Sequence, residues 1–465
     1  MRNWNRRKSI AVEALPSEHT LRRTLSWWHL IAMGVGAIIG TGIYTLVGIG
    51  AGLAGPAVVL SFAIAGAVCA CAALCYAEVA TAIPASGSAY TYSYAVVGEL
   101  IAWIVGWSLI LEYSLVVSAV AVGWSGYVVG TLSAIGLPLP VALTAGPHAG
   151  GLFNLPAVFI VFAVAGVLTM GTRESATLNA ALVGVKIVAL ILFISVALPH
   201  FDVAQFKPFM PYGFSPHEID GKQHGVMAAA AIIFFAFYGF DAISTAAEET
   251  KRPDRDLPIG IVGSMVICTA IYVGVAAVAI GAMPFTAYAD SPEPLALILR
   301  SLGQGKVAVI IGAAAIVALP TVILAFLFGQ SRIFFVMARD GLLPKSLAKV
   351  STRTGAPVRM TLGTAAVVSV LAGLAPLDEI AALANAGTLV AFIAVAACML
   401  IMRRRDPDGP RKFSTPLPWL IGPLAIGGCI YLFWSLPGTT KLFFGLWNLL
   451  GLALYAWVGR SAAIR

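Results

Sequence analysis

Four ionisable side chains stand where the surrounding sequence is apolar: Lys186 in GVKIVALILFI, Glu112 in LEYSLVV, Asp241 in FFAFYGFDAIS and Glu78 just before PASGSAYTY. A lysine taken out of water either gives up its proton readily or serves as a fixed cation. Its bland alternative is to snorkel to a polar interface. The apolar run around Lys186 begins near residue 177, so Lys186 sits some nine residues in. At ~1.5 Å per helical residue that is deep, which favours a functional lysine. Glu112 is either its partner, a second proton site, or a neutral acid hydrogen-bonded to its neighbours. Asp241 and Glu78, with Glu248 and Glu249 beyond, read as an inner gate that could pair with Arg332 or Arg339. Asp241 could equally cap the half-helix that follows it, and exposed ion pairs are weak.

The elements that must hold these groups follow from composition. The chain has 465 residues, 59% hydrophobic and 11% charged. Soluble domains carry about 25% charged residues, so most of the outer surface must face lipid. Apolar stretches long enough to cross a bilayer lie near 30–52, 56–83, 97–129, 155–171, 177–198, 226–247, 257–283, 303–336, 358–375, 380–402, 417–436 and 440–459. These twelve spans predict an all-α integral membrane protein. With the N-terminus inside, 23 of the 29 Lys and Arg fall in cytoplasmic segments and 5 outside, with Lys186 within the membrane. That bias follows the positive-inside rule and places both termini in the cytoplasm. The net charge of +8 therefore reflects topology, and its scatter over many loops argues against nucleic-acid binding. Residues 1–26 read as a cytoplasmic tail rather than a cleavable signal. His29, beside Trp27 and Trp28, reads as interfacial.

The six cysteines all lie in apolar runs, the habit of small buried hydrophobes. No metalloprotease, Walker, nucleophile-elbow or paired C-x-x-C pattern occurs. This argues against an enzyme and an ATP-driven pump, and no cofactor or metal is expected.

Spans 1 and 6 carry interruptions. Span 1 contains GAIIGTGIY, with Gly34, Gly36, Gly40 and Gly42, and span 6 contains FYGFD, with Gly239. The glycines could simply let helices pack closely. Matching breaks at the head of two groups of five spans, the second inverted relative to the first, point instead to a transporter's substrate site. At such a break free N–H groups face an anion and free carbonyls a cation, which suits a zwitterion.

GVGAIIGTGIY, FFAFYGFDAISTAAEETKRPDRDLPIGI and QSRIFFVMARDGLLPKSLAKV resemble the amino acid–polyamine–organocation superfamily, and within it the bacterial members of the cationic amino acid transporter family. The resemblance implies a five-plus-five inverted repeat with broken helices 1 and 6, plus two C-terminal helices. The units are a tail (1–26), a first repeat (27–198), an extracytoplasmic loop (199–225), a second repeat (226–402) and a cytoplasmic loop with spans 11 and 12 (403–465). It implies that the substrate carboxylate meets the N–H groups of Thr41 and Gly42 at the Gly40 turn. The amino group would meet carbonyls of Ile38, Phe235, Ala236 and Tyr238 beside Gly239, with Phe235 closing over the ligand. Tyr238 departs from the aliphatic residue common in relatives. Lys186 resembles a built-in replacement for the sodium ion that sodium-coupled relatives hold between spans 1, 5 and 8.

The expected function is proton-coupled symport of neutral L-amino acids across the cell (inner) membrane by alternating access. Alternatives are transport or exchange of arginine, lysine, ornithine or polyamines, and an amino-acid-binding membrane sensor. The expected partners are an L-amino acid, protons and the lipid bilayer. The sequence leaves open whether a small single-span helix associates.

Overall fold

The computed structural model describes residues 7, 25–83, 87–169, 176–219, 221–245, 250–344, 358–407, 409 and 411–463. Among the described residues each predicted span is represented by helix, with spans 1 and 6 interrupted. Span 1 is split into α1 (Trp27–Ile38), α2 (Thr41–Tyr44) and α3 (Leu46–Ala54), and span 2 is α4 (Val58–Ala82). A short helix, α5 (Ser88–Val96), leads into span 3, α6 (Glu99–Ala134). After α7 (Val141–Thr144) come span 4, α8 (Leu155–Thr169), and span 5, α9 (Ala176–Ala197). The 199–225 connection carries a small antiparallel hairpin, β1 (His217–Ile219) with β2 (Lys222–His224). Span 6 is α10 (Val226–Ile233), a 3-10 turn (Phe234–Phe237) and α11 (Phe240–Thr245). Span 7 is α12 (Pro253–Ala282), and α13 (Pro294–Ser301) precedes span 8, α14 (Gly305–Arg339). Spans 9 to 12 are α15 (Val358–Leu374), α16 (Leu377–Arg405), α17 (Pro418–Trp434) and α18 (Gly438–Ala463).

Among the described residues six helices are long and apolar enough to cross a membrane alone, and α17 and α18 pass that test as a pair bent by 110°. Of the remaining spans, α1 and α10 stop at the breaks, and α8 and α15 have 15 and 17 described residues. Spans 3 and 8 run to 36 and 35 residues, as their long apolar runs predict.

Lipid gives apolar helices little reason to associate, so small residues and interhelical hydrogen bonds must hold the bundle. Span 12 is tied to span 3 by indoles. The Trp107 ring stacks on Trp447 with centroids 4.6 Å apart. Each indole N–H of that pair donates to the other residue's carbonyl, at 2.8 and 3.0 Å. Trp103 Nε1 donates to Gly451 O at 2.9 Å.

Glu78 ends span 2 in a second tie. Arg403 at the end of span 10 donates through Nε and Nη2 to its two carboxylate oxygens, both at 2.7 Å. Arg411 Nε lies 3.5 Å away and the Thr415 N–H donates at 2.8 Å. The carboxylate, predicted as part of a gate, is thus braced against span 10 and the loop after it. Glu248 and Glu249, and the side chains of Arg332 and Arg339, lie outside the described residues.

A buried, bidentate pair loses more when one partner is removed than the pair contributes, because a charge is left behind. Glu78→Gln is expected to destabilise the detergent-purified protein by about 3 kcal/mol. Arg403→Gln should do the same, and the double variant should lose little more than either single change. An unaltered thermal unfolding curve for Glu78→Gln would contradict this brace.

Candidate substrate site at the crossed helix breaks

The span 1 break is local and abrupt. Ile39 leaves helical geometry at φ −72°, ψ 98° and Gly40 sits at φ −144°, ψ −151°. The last bond of α1 is Ile39 N–H to Val35 O at 2.8 Å, and the next turn starts with Ile43 and Tyr44 donating to Gly40 O. Among the described residues no backbone carbonyl accepts from the N–H groups of Gly40, Thr41 or Gly42. Thr41 is fully buried and its hydroxyl oxygen has no hydrogen-bond partner.

In span 6, Tyr238 turns extended at φ −68°, ψ 158°. Gly239 follows at φ +108°, a conformation open to glycine but strained for other residues. The two breaks cross in direct contact. A Cβ on Gly239 would lie 2.7 Å from the Ala37 carbonyl carbon, and one on Gly42 would lie 2.3 Å from Ala236 Cα. Glycine at both positions is what lets the backbones touch. Span 3 holds the second half of span 1 in place, since the Tyr127 hydroxyl donates to Tyr44 O at 2.5 Å.

A small cavity opens at this crossing. Span 1 lines it with Ala37, Ile38, Gly40, Thr41 and Gly42, span 6 with Phe235 and Tyr238, span 3 with Val116 and Val120, and span 8 with Val322 and Phe326. The structure therefore gathers six of the predicted substrate residues around one space. Ala236 and Gly239 lie immediately behind it, where the breaks touch. No lining residue is charged. Phe235, Tyr238 and Phe326 are 5%, 3% and 3% exposed, so the cavity is closed over. The Ile38 carbonyl, predicted to face an ammonium, already accepts from the Tyr272 hydroxyl of span 7 at 2.8 Å.

Lys186 is fully buried. Its Nζ donates to Gly36 O at 2.8 Å and to Thr321 Oγ1 at 3.1 Å, linking spans 1, 5 and 8. Gly36 lies in the last turn of α1, where carbonyls lack helical partners and a cation is favoured. Thr321 in turn donates to Ala318 O at 2.7 Å, and Tyr44 donates to Lys186 O at 3.3 Å.

Glu112, 1% exposed, has different neighbours. Asp241 on span 6 acts on it electrostatically, and span 10 packs against it, where a Cβ on Gly387 would lie 3.3 Å from Glu112 Cβ. Its Oε2 has no hydrogen-bond partner. Asp241 stands in the first turn of α11 and accepts from the Tyr113 hydroxyl at 3.3 Å.

Three residues of this region escape sequence reasoning: Tyr272, Thr321 and Asn385. Asn385 is fully buried in span 10 and accepts from the Tyr238 hydroxyl. A lone amide in the run LANAG is the one signal that could have found it.

A twelve-span helical membrane protein whose two broken helices cross over a closed, uncharged cavity is built as a transporter. The family model described as amino acid permease matches residues 25–457, and the chain belongs to this family within the amino acid–polyamine–organocation superfamily. It is similar to the branched-chain amino acid permease BcaP of Bacillus subtilis (strain 168), at 46% identity over 97% of this chain and 96% of that protein. The methylthioribose transporter of the same organism is 40% identical over 97% of both chains. The vacuolar cationic amino acid transporter 2 of Arabidopsis thaliana is 38% identical over 90% of this chain and 65% of its own length. The chain is thus a multi-pass membrane transporter of amino acids, not an enzyme.

The crossing makes a direct prediction. Gly42→Ala must push Ala236 away, and displacements near 1 Å at a binding site can cost about a hundredfold in rate. Uptake by Gly42→Ala is expected to fall on that scale. Gly427→Ala in α17, where nothing lies within 4 Å of the new methyl, should transport as well as the parent protein. Equal uptake by both variants would contradict the crossing.

Proposed function

We propose that this protein is a proton-coupled symporter of neutral, aliphatic L-amino acids in the cell membrane, with both termini cytoplasmic. The observation that carries the reading is the cavity wall. Val116, Val120, Val322 and Phe326 surround the space, and no acidic side chain lines it. A cationic side chain would be desolvated there with no counter-charge, whereas an aliphatic one loses water favourably. The acids within reach of the membrane centre, Glu112 and Asp241, stand outside that lining. The name of the B. subtilis relative, a branched-chain amino acid permease, supports the same class.

In this reading the N–H groups of Thr41 and Gly42 hold the substrate carboxylate, with the Thr41 hydroxyl beside them. Carbonyls of Ile38, Phe235, Ala236 and Tyr238 take the ammonium, and Phe235 is the lid. Lys186 occupies the place of a coupling cation. Charged, it donates strong bonds to Gly36 and Thr321 and holds the inner half of span 1 against spans 5 and 8. Loss of its proton weakens that hold and lets one bundle of helices rock against the rest about the site between spans 1 and 6, exposing the site to the other side. Glu112 and Asp241 form a separate carboxyl pair by which a proton could also pass, and Asp241 with Phe235 belongs to the gate. One inward proton contributes about 2.3 kcal/mol per 100 mV, enough for more than a tenfold concentration ratio.

Proteoliposomes in sodium-free buffer test this. Leucine and alanine uptake should rise with an inward proton gradient and should not respond to added sodium. Lys186→Met should abolish the response to the gradient. Arginine uptake that ignores the gradient but is accelerated by internal arginine would make the protein a cationic exchanger instead. Ligand binding without uptake would make it a sensor.

A further inference from the structure

Span 10 contributes no side chain to the cavity lining, yet it grips the wall. Asn385 Nδ2 donates to Ala231 O at 2.5 Å and to Ile232 O at 3.0 Å. These carbonyls belong to the last turn of α10, where the helix tightens toward its break and ordinary helical partners run out. The remaining polar atom of the amide, Oδ1, accepts from the Tyr238 hydroxyl. Both donors and the acceptor are committed, so the amide has one orientation. Rotating it would set Oδ1 against the Ala231 and Ile232 carbonyls, acceptor facing acceptor, which is expensive in a medium without water.

Tyr238 is therefore held at both ends. Its backbone is fixed by the break and by the contact of Gly239 with Ala37. Its hydroxyl is fixed by span 10. Between them the ring forms part of the cavity wall, with centroids 5.2 Å from Phe235 and 5.6 Å from Phe234. A ring anchored only at its Cβ can turn aside for a larger ligand. One tethered at the far end as well is a rigid stop.

We infer that Asn385 is a positioning residue that sets the size limit of the substrate side chain, by pinning Tyr238 as a fixed wall of the site. The site then admits short and branched aliphatic side chains and turns away aromatic ones. This rests on the reading of the cavity as the substrate site. Asn385 acts through Tyr238 and need not touch the ligand.

The test is competition against labelled alanine uptake in proteoliposomes by valine, leucine and phenylalanine. It compares the parent protein, Tyr238→Phe, Asn385→Ala and the double variant. Tyr238→Phe leaves Asn385 on Ala231 and Ile232, so the helix contacts survive. In both single variants phenylalanine should gain about tenfold in competition relative to leucine, the scale on which apolar pockets discriminate. For Asn385→Ala, which leaves every cavity-lining residue in place, the KM for alanine should stay within about twofold. The double variant should go no further than either single one, since both break the same bond. A uniform loss of uptake with the ratio of phenylalanine to leucine unchanged would overturn the inference and leave Asn385 a structural tie. If Gly42→Ala left alanine uptake intact, the cavity itself would not be the substrate site, and that separate result would remove the basis of both readings.

Discussion

A peptide group inside a hydrocarbon layer must find its hydrogen bonds within the protein, and this rule shapes everything around the two breaks. A continuous helix meets it alone. A helix that stops at Ile38 and resumes at Thr41 does not, nor does one that tightens at Phe234 and turns at Gly239. Irregular backbone survives at that depth only when it is wrapped in protein or lines a cavity. The surrounding spans accordingly reach in with polar groups aimed at loose carbonyls. Lys186 takes Gly36, Tyr272 takes Ile38, Tyr127 takes Tyr44, and Asn385 takes Ala231 and Ile232. The donors left over are the N–H groups of Gly40, Thr41 and Gly42. The N–H side of the break stays open while its carbonyl side is largely occupied, and that asymmetry suits an incoming carboxylate.

The same rule separates two kinds of buried charge. Lys186 is bonded to a carbonyl at the end of α1 and to a hydroxyl on span 8, so its charge sits where a helix terminus favours it. Asp241 accepts from the Tyr113 hydroxyl, one residue along span 3 from Glu112. Glu78 belongs to neither group. Its two oxygens are committed to Arg403 and the Thr415 N–H, which ties the ends of spans 2 and 10 together.

The spans were legible in the sequence because hydropathy is a local property, and α1 to α18 cover the predicted stretches. The breaks were legible for the same reason: glycines within GAIIGTGIY and beside Asp241 sit inside otherwise apolar runs. So was the depth of Lys186, by counting residues from the start of its span. What could not be read were the partners. Glu78 meets an arginine 325 positions along the chain, and nothing in either segment names the other. Asn385, Tyr272 and Thr321 each look like one polar residue in an apolar helix until the facing helix is known. Depth alone does not specify which face of the bundle a side chain such as Glu112 occupies. Helix rotation and neighbour order come only from packing.

The central claim is that the open N–H groups at the span 1 break hold the substrate's carboxylate. The most direct measurement is equilibrium binding of labelled leucine to the purified protein in sodium-free buffer, with displacement by leucine, leucine amide and isopentylamine, which lacks the carboxyl carbon. The account predicts that unlabelled leucine displaces the label while the amide and the amine, having no carboxylate, compete weakly or not at all. Displacement by the amine as effective as that by leucine would show that the carboxylate is not what the break recognises.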